Sequence, residues 1–189
     1  MSSDNSPIII AVVGLIGSGK TEAVARFVEA GFGRVGFNDV FYEEFKRRGL
    51  SYSEENERMV REEMRAKGGM GVMAKHALPK VEAVLEKGKN IVVESLYSWD
   101  EYKIMKERFD GQFRVLAIYA PPEIRYKRIA GRSVRPLSHN DAVSRDYAQI
   151  ENLDQAGPIA MADWTIENTD TREEFFDVLE QLIIKFRHQ

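Results

Sequence analysis

Gly14-Leu15-Ile16-Gly17-Ser18-Gly19-Lys20-Thr21 fits the pattern G-x-x-x-x-G-K-[ST] and constrains the chain more than any other segment. Gly14, Gly17 and Gly19 let the backbone curl so that successive N–H groups, through Ile16 and Ser18 to Lys20, face an anion. Lys20 then reaches the outer phosphates of a nucleoside triphosphate, and the Thr21 hydroxyl can ligate a Mg²⁺ that bridges them. The flanks agree with this reading. Ile8-Ile9-Ile10-Ala11-Val12-Val13 is an apolar run of the kind that forms a buried parallel strand. Ala23, Val24, Phe27, Val28 and Ala30 fall near helical spacing, and Gly31 stops the helix. A helix that opens on the loop adds its N-terminal N–H groups and dipole to the cradle.

The rest of the chain narrows the partners. Its 189 residues suit one α/β domain, and 43% hydrophobic with 30% charged residues is a soluble globular composition. A net charge of −3 gives no general pull toward nucleic acid or an anionic membrane, so neither is expected as a partner. The absence of cysteine excludes disulfides and thiolate metal sites. Met1–Pro7 has no basic region ahead of an apolar one, so no leader is expected there, and a cytoplasmic location is expected. The apolar run of the first strand is too short to span a bilayer. His76, His139 and His188 share no metal-binding spacing. Composition does not fix the oligomeric state.

Along the chain, strands and helices alternate. Phe32–Phe37 reads as a second strand, Ile91–Glu94 as a third, Phe113–Tyr119 as a fourth and Trp164–Ile166 as a short fifth. Residues 40–87 read as three charged helices separated by Gly49 and Gly68-Gly69, with Ser51 and Glu54 as a capping box and Gly88 as the final stop. A plain crossover needs only about a dozen residues, so this block is an insertion with its own purpose. Ser98 with Glu101 starts a short helix, Pro121-Pro122 opens another that carries Arg125, Arg128 and Arg132, and a polar helix spans about 139–151. Thr171 with Glu174 caps the last helix, whose apolar stripe is Leu179, Leu182, Ile183 and Phe186. Alternation of this kind implies a parallel sheet with its ligand at the carboxyl ends of the strands.

Phosphoryl transfer needs a triphosphate cradle, cations over the transferring group and an acceptor pocket. Arg125, Arg128, Arg132, Arg135 and Arg145 place five guanidiniums in a short stretch of a net acidic chain, as a polyanion ligand would require. Asp146 is adjacent to Arg145 and can hold that side chain in place. Asp39 can orient or deprotonate an acceptor hydroxyl, or simply cap the next helix. Glu94 can hold Mg²⁺ through water, or pair with a nearby base. Arg65 reaches the acceptor's anionic part or lies on a solvated face. The D-x-x-G at Asp154–Gly157 lies far from the third strand, and no N-K-x-D reads guanine, so an adenine nucleotide is expected.

From Ile8 to about Ile184 the chain resembles the small P-loop nucleotide kinases, and most of all the dephospho-CoA kinase-like and adenylate kinase-related group. Gly14–Thr21 matches the phosphate loop, Asn38-Asp39-Val40 the acidic turn after strand two, and Arg128-Ile129-Ala130-Gly131-Arg132 the arginine helix that leads to a lid. Arg145-Asp146 resembles the returning lid helix, and Ala162–Asn168 the A-D-x-x-I-x-N segment near which such kinases bind adenine. The resemblance implies a three-layer P-loop NTPase fold with a five-stranded parallel sheet flanked by helices. It implies a single kinase domain over 1–189: a core of 8–37, 90–130 and 162–189, a helical acceptor-binding insertion at 38–89, and a lid at 131–154. It further implies an ATP- and Mg²⁺-dependent kinase for a nucleoside monophosphate or a nucleotide-like metabolite such as dephospho-CoA. Lys20, Asp39, Arg132, Arg135 and Arg145 would be catalytic. Gly14–Thr21, Arg128 and Asn168 would bind the nucleotide. Thr21 and Glu94 would hold the metal, and Asp39, Tyr42, Arg65 and Tyr97 the acceptor. Two departures leave an alternative, a nucleotide-binding regulatory protein without transfer. Tyr42 and Tyr97 lie nearest to where relatives place acceptor-phosphate arginines, and Glu94-Ser95 replaces the usual Asp-Gly.

Overall fold

A computed structural model of the chain describes residues 6–187. His188 and most of the Met1–Pro7 tail fall outside that range. Five parallel strands, β1 (Ile9–Val13), β2 (Gly33–Gly36), β3 (Ile91–Glu94), β4 (Phe113–Tyr119) and β5 (Trp164–Glu167), lie in the order β2-β3-β1-β4-β5. The helices are α1 (Lys20–Glu29), α2 (Asp39–Arg48), α3 (Glu54–Gly68), α4 (Val72–Leu85), α5 (Trp99–Arg108), α6 (Pro122–Ala130), α7 (His139–Glu151), α8 (Ala156–Ala160) and α9 (Arg172–Arg187). The expected three-layer P-loop fold is therefore present.

Alternation along β1 builds the layers. Ile9, Ala11 and Val13 join Val93 and Val115 in a core with Phe41, Met73 and Met105 from α2, α4 and α5. Ile10 and Val12 join Val92, Leu116 and Ile118 in a second core with Phe27 of α1 and Leu179 and Phe186 of α9. All five residues of β1 are buried, because helices cover both faces of the sheet. Among the described residues no helix is long and apolar enough to cross a membrane.

Several boundaries follow the sequence signals. Ser98 and Glu101 form a reciprocal capping box at α5. At α9, Thr171 Oγ1 accepts from Glu174 N at 3.2 Å, and Glu174 Oε2 accepts from Thr171 N at 3.1 Å. Others differ. The cap of α3 is Ser53, whose hydroxyl accepts from Asn56 N at 3.1 Å, while Ser51 only offers its carbonyl to the Asn56 amide. α4 ends at Leu85 rather than Lys87. α6 ends at Ala130, so Arg132 follows the helix instead of extending its face. The short α8 carries no periodic signal in the sequence. Residues 38–89 form α2, α3 and α4, a helical block between β2 and β3.

Candidate active site

The glycine loop between β1 and α1 is a strained turn held from outside. Gly14, Gly17 and Gly19 have φ of 143°, 76° and 108°, a region that side chains disfavour. A Cβ would stand 2.4 Å from Ile118 O at Gly14, 2.7 Å from Arg125 O at Gly17 and 2.4 Å from Asn168 Nδ2 at Gly19. Distant side chains tie down the loop carbonyls. Gln155 Nε2 donates to Gly14 O at 3.1 Å, Arg125 Nη1 to Ile16 O at 3.0 Å, and Asn168 Nδ2 to Ser18 O at 2.8 Å. Lys20 Nζ donates to Leu15 O at 2.9 Å. Carbonyls held in this way leave the loop amides to serve an anion, as in a phosphate nest.

The cations divide into two kinds. Arg125 is 3% exposed and makes a bidentate pair with Asp146 at 3.0 and 2.7 Å, with Tyr126 Oη donating to the same carboxylate. Arg125 is thus a brace between α6, α7 and the loop rather than a ligand for a polyanion, and Asp146 holds Arg125, not its neighbour Arg145. Burial keeps a guanidinium here only because every face finds an acceptor. Arg128 spans the carbonyl and side chain of Asn168 at 2.8 and 3.2 Å. Arg132 and Arg145 stand close enough to Lys20 to act on its charge. Burial first, then the charges of Arg132, Arg125 and Arg145, bring the Lys20 pKa down to about 7, with Asp146 opposing. Arg135 lies elsewhere, 5.0 Å over the Tyr52 ring of the helical block. A cleft of about 840 Å³ is lined by Gly17, Gly19, Lys20, Thr21, Arg128, Arg132, Val134, Asn168 and Arg172, among others.

Asp39 and Glu94, which do not line this cleft, share one partner that no sequence pattern singled out. Arg34 Nη1 and Nη2 donate to Asp39 at 3.1 and 3.2 Å, and its Nε donates to Glu94 at 2.8 Å. Partial burial works against the Arg34 charge, and the hydrogen bonds to Asp39 and Glu94 outweigh it, so its pKa is raised. Asp39 begins α2, but its capping bond runs back to Gly36 N at 3.3 Å. Ser95, just after β3, holds φ of 67°, in the left-handed region that favours glycine. The Tyr97 hydroxyl bonds with Ser95, and burial raises its pKa. Glu101 accepts from Tyr97 N and Ser98 N at 2.7 and 2.9 Å. Burial raises its pKa to about 7 against those N–H groups and the nearby Arg65. Burial lowers the Arg65 pKa, and its Nε is a buried donor with no hydrogen-bond partner. Tyr42 is 55% exposed and stacks on Tyr52 with ring centroids 5.8 Å apart.

The structure brings Asn168 onto the loop and joins the strand-end acids Asp39 and Glu94 through Arg34, and no sequence pattern singled out Arg34 or Gln155. An arginine between two glycines on a short strand was the available signal for Arg34. Gln155 had none, because its partner Gly14 is 141 residues away. The site fits a triphosphate: a cradle with no room for a Cβ, a lysine whose charge lacks a counter-ion, and guanidiniums beside it. Of the two oxygen donors expected for Mg²⁺, Thr21 lines the cleft, whereas the Glu94 carboxylate accepts from Arg34 Nε at 2.8 Å. Among the described residues no three His, Cys, Asp or Glu side chains converge to hold a metal on their own.

A family model described as an AAA domain matches residues 10–149. A UPF0200 protein of Thermococcus onnurineus is 34% identical over 181 residues, which cover 94% of this chain and 97% of that protein. The chain belongs to the UPF0200 family and carries the AAA domain. Among solved structures, dephospho-CoA kinase from Campylobacter jejuni superposes with a TM-score of 0.58 at 18% identity, over 96% of this chain and 98% of that one. Shikimate kinase from Bacteroides thetaiotaomicron gives 0.62 at 12% identity, over 93% and 96%. At such identities the likeness is one of fold, and that fold is the one shared by small P-loop kinases.

Proposed function

We propose that this UPF0200 protein is a kinase that moves the γ-phosphoryl group of ATP to a small acceptor. The acceptor is a nucleoside monophosphate or a nucleotide-like metabolite such as dephospho-CoA. One observation carries the reading: Lys20, Arg128 and Arg132 line one cleft with the glycine loop, so cations gather where a transferring phosphoryl group would sit. A binding switch needs the cradle alone, whereas transfer needs charge gathered around the group in flight.

In this reading Gly14–Thr21 holds the phosphates, and Arg128 with Asn168 fixes the edge on which adenine rests. Bound Mg²⁺, held by Thr21 and Glu94, would draw charge from the phosphates. Where the acceptor offers a hydroxyl, Asp39 accepts its proton as the acceptor oxygen bonds to the γ-phosphorus and the bond from that phosphorus to the bridging β-phosphate oxygen breaks; an acceptor phosphate oxygen attacks with no proton to remove. Residues 131–154 form a lid that brings Arg132 and Arg145 to the phosphates and excludes water, while Arg135 rests on the Tyr52 ring of the helical block. Residues 38–89 form the acceptor side, with Tyr42 and Tyr97 along it. The orphan Nε of Arg65 favours an acceptor that carries an anionic group.

A second reading, a nucleotide-binding regulatory protein without transfer, draws on Arg34, which already occupies both strand-end carboxylates. A coupled ADP-release screen across nucleoside monophosphates, nucleosides and dephospho-CoA separates the two. ADP that forms only with one acceptor class supports the kinase. ATP bound with no acceptor-dependent ADP from any class supports the switch.

A further inference from the structure

Arg34 has no part in the scheme above, yet its guanidinium ties two carboxylates from different elements together. It lies on β2, the edge strand, two residues before Gly36, which pairs in register with Glu94. Residues two apart on a strand share a face, so the Arg34 side chain passes over Gly36 to reach both acids. A Cβ on Gly36 would stand 2.6 Å from Asp39 Oδ1 and 2.8 Å from Arg34 Nη2. A side chain there would displace the ends of Asp39 and Arg34. Three of the five guanidinium N–H groups are spent on two carboxylates, at 2.8, 3.1 and 3.2 Å. A lysine ammonium could neutralise the pair but could not hold both at fixed angles.

Two carboxylates at adjacent strand ends beside a polyphosphate cradle are what a divalent ion would bridge with the help of water. Arg34 stands in that gap. We propose that Arg34 is a positioning residue that acts as a built-in counter-cation. It fixes Asp39 and Glu94 and keeps a divalent ion from bridging them, so that the protein takes up its metal only together with the nucleotide. This rests on the reading of Asp39 and Glu94 as working carboxylates. Its test reads cation binding in the absence of nucleotide, so it can fail while the kinase reading stands, and the reverse.

The full chain, free of nucleotide, is titrated with Mn²⁺, and the free ion is followed by electron paramagnetic resonance. Mn²⁺ takes the oxygen ligands that suit Mg²⁺. Wild-type protein is expected to bind Mn²⁺ no more tightly than its Glu94→Gln variant. Arg34→Met is expected to bind one equivalent at least tenfold more tightly. Arg34→Met with Glu94→Gln should return to the wild-type curve. Arg34→Lys should also match wild type for Mn²⁺, because it keeps the charge, while any turnover falls with the loss of the fork. If Arg34→Met does not fold, Arg34→Gln, which removes the charge and keeps hydrogen-bonding groups, carries the same expectation. Unchanged Mn²⁺ affinity in the folded charge-removal variant would overturn the proposal. So would nucleotide-free wild-type protein that binds Mn²⁺ through Glu94.

Discussion

Lys20 is held where its charge is costly until an anion arrives. Burial and the neighbouring Arg132, Arg125 and Arg145 lower its pKa from 10.5 to about 7. In the window between those values the unfolded chain binds the proton that the folded one has shed, so this residue makes the nucleotide-free fold gain stability as pH rises. A bound triphosphate restores the charge. At about pH 8.5, nucleotide binding is therefore expected to take up close to one proton. Calorimetry in two buffers of different ionisation enthalpy measures this, and Lys20→Met should show no uptake. Asp146 offers a second test at the same scale. Its loss strands Arg125, which is 3% exposed, without a counter-ion. Asp146→Ala is expected to cost about 3–5 kcal/mol of stability, read by thermal unfolding, whereas Arg145→Ala should melt near the wild type. Sequence adjacency suggested that Asp146 served Arg145. Successive residues on a helix point about 100° apart, and the inward one of the pair met the buried Arg125 of α6.

The elements that flank the cradle carry the argument about transfer. Arg132→Ala and Arg145→Ala are expected to lower single-turnover transfer by roughly 10²–10⁴-fold with a modest loss of ATP affinity, because charge develops on the moving group only in the transition state. Equal losses in both quantities would instead mark them as ground-state binders. Arg135 leads to a different expectation, because it lies over Tyr52. Arg135→Ala and Tyr52→Ala should produce similar small defects, and the double variant no more than either alone, as expected of a contact between proposed lid and acceptor block. Helices and strands were legible wherever a local device marked them: the box at Ser98 and Glu101, the apolar run of β1, the glycine at 49. The α3 cap was missed because Ser51 and Ser53 are both plausible from sequence, and only backbone geometry chooses Ser53. The clamp of Arg34 on Glu94 spans 60 residues and depends on strand order, which no local pattern encodes.

At the scale of the whole molecule, the parallel sheet sets the carboxyl ends of its strands along one edge, as open α/β sheets do. The glycine loop follows β1, Asp39 follows β2, Glu94 ends β3, and Asn168 follows β5. The chain makes its two longest excursions, 38–89 and 131–154, from that same edge. Fold class and cradle were readable because the loop motif ties one strand to one helix, and the rest of the sheet follows from alternation. The proposed acceptor side was not, because the bonds that join Arg34 to Glu94 and Ser98 to Met70 are nonlocal. The central claim is that charge gathered at the cradle serves transfer, and labelled γ-phosphate tests it most directly. With an acceptor found by the ADP-release screen, the account predicts that label appears on the acceptor in a one-to-one ratio with ADP, and that folded Lys20→Ala yields none. Label that stays on ATP or is released only as inorganic phosphate, or transfer undiminished in Lys20→Ala, would contradict it.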